Sequence, residues 1–190
     1  MKYLFLLFQI LPTFLYCQNF NVNVYRIEGD LNKDGLDDIA VLKQDTVNTH
    51  YPYLLEIYLQ KKGGSLELAV SSKQAVPEKY YTGKDMPSTN TITPEIYIRK
   101  GILYLENYLT RGMFIHKFRY QHGSFELIGY THSESDQFDM SSIDFNLMTG
   151  NRIYKNTSRD DYKETVKNSK ILIRPLPKLQ DFKPLSNKYY

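Results

Sequence analysis

The stretch Asn19-Phe-Asn-Val-Asn-Val-Tyr25 decides the fold class, because polar and apolar residues alternate along it almost without a break. Successive side chains of a β-strand lie on opposite faces of a sheet, so this pattern is typical of a strand with one wet face. The alternation continues along the rest of the chain. It predicts strands near residues 19–28, 37–44, 53–60, 65–72, 93–100, 102–109, 112–121, 124–132, 138–148, 150–156 and 168–174.

Short glycine-containing turns separate many of these strands. Lys61-Lys-Gly-Gly64, Lys100-Gly101, Gln121-His-Gly123 and Thr149-Gly150 each place Gly where a tight hairpin needs a positive φ. A chain of 190 residues with 17 Tyr and 10 Phe is the size of one domain and is rich in strand-forming aromatic residues. We therefore expect a single all-β domain, an antiparallel meander of hairpins arranged like a propeller blade or a sandwich.

Two stretches interrupt the strand pattern. Clustered Pro, Gly, Ser, Thr and Asn predict a long surface loop over 73–92. The prolines near the end predict that the all-β domain covers 18–175 and that 176–190 is an extended C-terminal tail. Alternation also predicts the residues that mainly face the core: Val22, Val24, Ile39, Val41, Ile57, Leu66, Leu68, Ile96, Ile98, Leu103, Leu105, Phe118, Leu127 and Phe145.

Two hairpins echo each other in sequence. The segment 57–68 and the segment 118–127 share a Tyr near a Gln, a Gly-Ser turn and a following apolar-Glu-Leu strand. Such an echo indicates either repeated hairpin modules or the general likeness of hairpins that turn at Gly.

Residues 1–17 have the form of a secretory signal peptide. Lys2 precedes an apolar run that is too short to span a bilayer permanently, and polarity changes abruptly at Gln18. We expect cleavage near Cys17 and export to the periplasm, the cell surface or the medium, without stable membrane insertion afterwards. A lipid anchor on Cys17 is the less favoured alternative, because Tyr16 occupies a position that wants a small residue.

The charge balance argues against nucleic acid as a partner. Lys and Arg number 24 and Asp and Glu number 21, which leaves a net charge of only +3. A nucleic-acid-binding domain usually carries a strongly basic patch or stripe.

One motif carries metal chemistry, the acidic loop Asp30–Asp38. Side-chain oxygens recur at positions 30, 32 and 34, Gly35 permits a sharp turn, and Asp38 follows after the backbone carbonyl of Leu36. Calcium takes six to eight oxygen ligands, and this spacing curls such ligands around one point. An apolar, partly β-branched run follows instead of a helix, so the loop leads into a strand. The alternative is an acidic turn without an ion, because Asp, Asn and Gly also favour turns.

The segment Gly29-Asp-Leu-Asn-Lys-Asp-Gly-Leu-Asp-Asp-Ile-Ala-Val-Leu42 resembles the calcium loops of FG-GAP repeats in integrin-like β-propellers and in related bacterial surface proteins. The chain carries one copy of the loop, whereas such propellers carry several. With its later strand segment Phe118–Tyr130, the chain also resembles small secreted bacterial proteins. The resemblance implies calcium ligation by the side chains of Asp30, Asn32, Asp34 and Asp38 and by the carbonyl of Leu36.

Other residues with chemical potential are scattered. The histidines at 50, 116, 122 and 132 lack helical metal spacing, and there is no Gly-x-Ser-x-Gly nucleophile elbow. A pair of carboxylates could serve glycoside hydrolysis if two of them lay close together. The candidates for such a pair are Glu134, Asp136, Asp139 and Asp144.

Three functions fit these patterns. The favoured one is a non-enzymatic, calcium-stabilised, exported domain that binds a protein or glycan. The second is an exported inhibitor or immunity protein against an envelope-targeted toxin. The third is a hydrolase, which requires ionisable side chains to meet in a pocket with shifted pKa values.

Overall fold

The computed structural model describes residues 19–82 and 91–185. Within those ranges the chain forms antiparallel strands and a single 3-10 turn, Leu179–Asp181. The strands are β1 (Val22–Gly29), β2 (Asp38–Gln44), β3 (Tyr53–Gln60), β4 (Leu66–Ser72), β5 (Thr93–Arg99), β6 (Ile102–Leu109), β7 (Gly112–Gln121), β8 (Ser124–Ser135), β9 (Asp139–Asn146), β10 (Asn151–Ser158) and β11 (Glu164–Lys170).

The all-β antiparallel prediction is confirmed. Each predicted strand overlaps an observed one, and the hairpin glycines Gly63, Gly101, Gly123 and Gly150 all have positive φ. The largest displacement is at the last strand, which begins at Glu164 instead of residue 168. Alternation misplaced it because β11 is almost entirely exposed and polar, whereas the apolar residues that suggested a strand lie just after it.

The strands form two sheets, each an uninterrupted meander. One sheet has the order β1-β2-β3-β4 and the other runs from β5 to β11 in chain order. A single cluster of buried side chains takes members from both sheets, including Leu42 and Ile57 from the first and Leu105 and Phe118 from the second. The two sheets therefore share one core and form a single body.

Most residues predicted to face the core do so, but Val22 and Val24 are exposed. The reason is an irregularity in β1. The pairing of β1 with β2 shifts between Asn23 and Tyr25, so the alternation of faces restarts after Val24. Downstream of this bulge, Tyr25 and Ile27 pack against the core.

The prediction for Leu66 and Leu68 is also wrong, since both are about half exposed. Leu68 lies opposite Tyr58, and a bulge at Ala69 then brings Val70 opposite the buried Ile57. The two similar hairpins therefore bury different faces: Leu66 and Leu68 are exposed, whereas the corresponding Phe125 and Leu127 are buried. The β3–β4 hairpin closes with the Lys61 N–H donating to the Ser65 carbonyl across three loop residues, whereas β7 and β8 close at Gln121 and Ser124 across two.

The inner face of the seven-stranded sheet, the side that carries Phe118 and Phe145, also buries a histidine. His116 on β7 is 0% exposed and packs against the rings of Phe114, Tyr130 and Phe182 at centroid distances of 4.7–5.4 Å. Burial lowers the pKa of His116 to about 3, because a charged ring would lose its hydration. At neutral pH it is therefore a neutral, structural side chain.

The segment after β11 is extended apart from the 3-10 turn, and it is anchored to the core. Leu176, Leu179 and Phe182 are buried, and the Leu127 N–H donates to the Pro177 carbonyl at 2.8 Å. The predicted signal peptide, 1–17, lies outside the described residues, as do 83–90 and 186–190. Among the described residues, no helix has the length and apolar character needed to cross a membrane.

Candidate functional site

The acidic loop connects β1 to β2 and is fixed at both ends. Gly29 and Asp38 lie opposite each other as the last paired residues of the two strands. Leu31 is 0% exposed and anchors the loop in the core. Lys33 and Gly35 both adopt a positive φ, of 65° and 84°, which lets the backbone curl between them.

Inside the curl, Asp30, Asn32 and Asp34 are tied to one turn. The Asp30 carboxylate accepts the N–H groups of Asp34 and Gly35 at 3.1 and 3.0 Å. The Asn32 amide oxygen accepts the Asp34 N–H at 3.0 Å, and its nitrogen donates to Asp34 Oδ2 at 3.0 Å. Asp34 Oδ1 accepts the Leu36 N–H at 2.9 Å. The three alternating oxygen side chains of the motif therefore lie together.

Asp38 occupies a different position from the other three side chains. It is 0% exposed, and its Oδ2 accepts the N–H groups of Leu31 and Asn32 at 2.9 and 3.2 Å. Its Oδ1 accepts the Gln60 N–H at 2.9 Å, which joins the loop to the end of β3. The sequence pattern identified Asp38 only as a ligand, yet its contacts also make it a structural tie.

The donor set of the loop fits calcium in chemical type. Three carboxylates, one amide and the Leu36 carbonyl are all hard oxygen donors. The oxygens of Asp30 and Asp34 each accept one hydrogen bond, so each keeps a further lone pair. Within the described ranges, no three His, Cys, Asp or Glu side chains converge as a ligand cluster, so calcium ligation stays a prediction.

The surroundings of the loop are close-packed on one side. A Cβ at Gly101, in the β5–β6 turn, would lie 3.2 Å from the Asp30 carbonyl oxygen. Lys61, which follows β3, forms an ion pair with Glu67. Its pKa is raised mainly by the hydrogen bond to Glu67 and by the charge of that residue, and to a lesser degree by Asp34.

Compared with protein-family models, curated proteins and solved structures, the chain has no match.

A second feature is the part of the seven-stranded sheet that projects beyond the core, which we call the distal sheet. It consists of β10 and β11 with the end of β8 and the start of β9, since Ile143 and Phe145 farther along β9 belong to the core. Every residue of β11 except Ser169 is exposed, and β10 alternates exposed with half-buried residues. Apolar side chains are exposed to solvent here, among them Met140 (42% exposed) and Val166 (49% exposed). The outer face is therefore open to a partner, whereas the inner face of β10 is half-buried.

The inner face of the distal sheet holds a polar groove of about 290 Å³, which we call the Tyr154 groove. Glu134, Ser141 and Asn156 lie directly opposite one another on β8, β9 and β10, so they share this face. Tyr154 lies in the next row, and Arg111 comes from the β6–β7 turn. A ring beside a carboxylate, a hydroxyl, an amide and a guanidinium suits a ligand with both apolar and hydrogen-bonding surfaces.

The carboxylates considered for hydrolysis divide between the two faces. Glu134, Asp136 and Asp139 line the Tyr154 groove, whereas Asp144 lies opposite Thr131 on the outer face. Hydrogen bonds from the N–H groups of Asp139 and Phe138 are the main cause that lowers the pKa of Asp136. A general acid needs a raised pKa, which is the opposite of this shift.

The outer face of the distal sheet holds a second groove, of about 340 Å³. Ser133, Ser142 and Lys155 form a row across β8, β9 and β10, and the Lys155 ammonium lies 3.6 Å from the Glu164 carboxylate. Sequence reasoning missed both grooves. Alternation shows which residues share a face of a strand, but it does not show how far a sheet extends beyond its core.

Proposed function

We propose that the chain is an exported, non-enzymatic binding domain whose acidic loop takes calcium and whose Tyr154 groove receives a protein or glycan partner. The observation that carries this proposal is the distal sheet, whose outer face exposes Ile153 and Val166 to solvent while its half-buried inner face holds the polar Tyr154 groove. Apolar side chains exposed in this way mark an interaction surface more often than a catalytic one.

The chemistry of the groove favours a polyhydroxylated partner. Glu134 and Asn156 offer acceptors and a donor amide along one row, and Ser141 donates to Glu134 Oε1 at 3.4 Å. The half-buried ring of Tyr154 supplies a flat apolar contact beside them. Sugars present hydroxyl edges and apolar ring faces, which match such a combination.

Calcium is proposed as a stabiliser of the fold and not as a reactant. The predicted ligands belong to one loop, which is anchored by Leu31 and by the bonds to Asp38. Binding would hold the connection of β1 with β2 closed. An ion that binds only the folded state adds RT ln(1 + [L]/Kd) to the free energy of unfolding.

Chelation of calcium is expected to lower the melting temperature modestly. With a Kd on the order of 10⁻⁴ to 10⁻³ M, typical of extracellular sites, calcium at about ten times Kd adds about 1.4 kcal/mol. For a chain of this size that corresponds to about 3–6 °C. Thermal unfolding with and without chelator measures the shift.

The matched variants compare two neighbouring acids of the loop. Asp34→Ala removes a predicted ligand and should abolish most of the calcium-dependent shift. Asp37→Ala removes an exposed carboxylate that lies between the ligand positions and should leave the shift intact. Identical melting curves with and without chelator would leave an acidic turn as the correct description.

The groove is tested by partner capture. Tagged protein incubated with envelope or culture-fluid fractions of the source cells should retain one partner reproducibly, and Tyr154→Ala and Asn156→Ala should each reduce its recovery at least about tenfold. Tyr162→Asn is the control, since Tyr162 is 78% exposed in the β10–β11 turn and does not line the groove. Recovery that is equal in all variants would place the binding surface elsewhere.

A further inference from the structure

The strand β11 is a free edge of the seven-stranded sheet. It pairs with β10 along all seven residues without a register shift. Among residues 19–82 and 91–185, no other strand pairs with the edge of β11 that points away from β10. It contains no proline and no bulge. A straight, exposed edge of this kind presents unpaired N–H and C=O groups to any strand that can match it.

The alternation of hydrogen bonds between β10 and β11 shows which residues of β11 direct their backbone N–H and C=O groups away from β10. At the two ends of the hairpin, the Ser158 N–H donates to the Lys163 carbonyl and the Ile171 N–H donates to the Gly150 carbonyl. Residues of an antiparallel pair exchange bonds at every second position, so Thr165, Lys167 and Ser169 bond to β10. The groups facing outward therefore belong to Glu164, Val166, Asn168 and Lys170.

These four residues match the same four residues of a second copy when the two strands are related by a two-fold axis. When β11 lies antiparallel to β11 of a second copy with the axis at Lys167, Glu164 faces Lys170 and Val166 faces Asn168 in both directions. All four outward residues of each copy are then paired. An axis at Val166 or Asn168 pairs only three, and it places no carboxylate opposite an ammonium.

We propose that β11 pairs with β11 of a second copy in this register and joins the two seven-stranded sheets into one continuous sheet. Two symmetric Glu164–Lys170 pairs form on the outer face, and the backbone groups of the free edge are satisfied. This inference goes beyond the proposed function, because it concerns the edge of the distal sheet and not the Tyr154 groove.

One pair in this register is unfavourable. Lys167 meets Lys167 of the second copy on the inner face, in the same row as Tyr154. Like charges directly opposite each other are destabilising, which makes the association weak and salt-sensitive. The repulsion also predicts the direction of one substitution: Lys167→Thr removes the like charges and should lower the dissociation constant of the dimer.

Sedimentation of the purified protein over a range of concentrations tests the proposal. We expect a reversible monomer–dimer equilibrium. Glu164→Lys and Lys170→Glu should each weaken the dimer by about ten- to hundredfold. The double variant Glu164→Lys/Lys170→Glu should associate more tightly than either single variant, although Lys155, 3.6 Å from Glu164 in the same copy, opposes full recovery. Lys163→Glu reverses a charge just outside the strand and serves as the control.

A backbone variant provides the second measurement. Asn168→Pro removes an outward N–H and none of the bonds to β10, so it should yield a monomer with unchanged far-UV circular dichroism. A protein that stays monomeric at the highest concentration reached would overturn the proposal. So would a dimer whose dissociation constant is the same in Asn168→Pro, or a charge-swapped double variant that associates no more tightly than either single variant. None of these outcomes depends on calcium or on the Tyr154 groove.

Discussion

Replacing Asp38 with Ala is expected to lower the free energy of unfolding by about 3–5 kcal/mol, because three N–H donors lose a charged acceptor in a buried site. The donors are the N–H groups of Leu31, Asn32 and Gln60, at 2.9–3.2 Å from the carboxylate. The loss should be present in chelator as well as in calcium, since these bonds belong to the protein alone. Urea or thermal denaturation in both conditions measures it.

Two comparisons separate this structural effect from metal binding. Asp38→Asn keeps one acceptor oxygen and should recover part of the lost stability. Asp37→Ala changes the neighbouring, exposed carboxylate and should cost less than about 0.5 kcal/mol. A loss for Asp38→Ala that disappears in chelator would mean that the carboxylate acts only through the ion.

Replacing Phe182 with Ala should also lower the free energy of unfolding by about 3–5 kcal/mol, the usual cost of truncating a buried aromatic side chain. The Phe182 ring is 3% exposed and lies 4.7 Å from His116 and 5.3 Å from Phe118 between ring centroids. The C-terminal segment thus completes the core, and the substitution leaves a cavity there. Equilibrium denaturation in urea measures the change.

Leu172→Ala is the control for Phe182. Leu172 belongs to the same C-terminal segment but is 64% exposed, so its truncation should change stability by less than about 0.5 kcal/mol. Equal effects for the two substitutions would show that the segment is held by something other than the burial of Phe182.

The acidic loop was partly readable in sequence. The spacing of Asp30, Asn32 and Asp34 is local, because residues two apart in a tight turn necessarily come together, and the structure groups these side chains. The contact of Asp38 with Gln60 spans 22 residues and depends on how β2 and β3 pair. No local pattern contains that information.

The strands of the distal sheet were predicted from the sequence, but their exposure was not. Its strand β10 alternates like the strands over the core, yet Ile153 and the neighbouring Val166 are exposed, because nothing in the described part of the chain covers them. The facing of Leu68 likewise depended on a bulge and on the number of residues in a turn. The exposure of a side chain depends on which other segments of the fold cover it, and the sequence of one strand does not contain that information.

The sequence by itself determined the strands, the hairpin turns and the antiparallel meander, because alternation and glycine conformations act between residues that are near neighbours in the chain. The tertiary structure alone decided that the two sheets share one core, that Phe182 returns to fill it, and that β10 and β11 extend beyond it. Those outcomes depend on burying apolar area between segments far apart in sequence. The hydrophobic effect is non-directional, so the apolar face of one segment does not show which other segment will cover it.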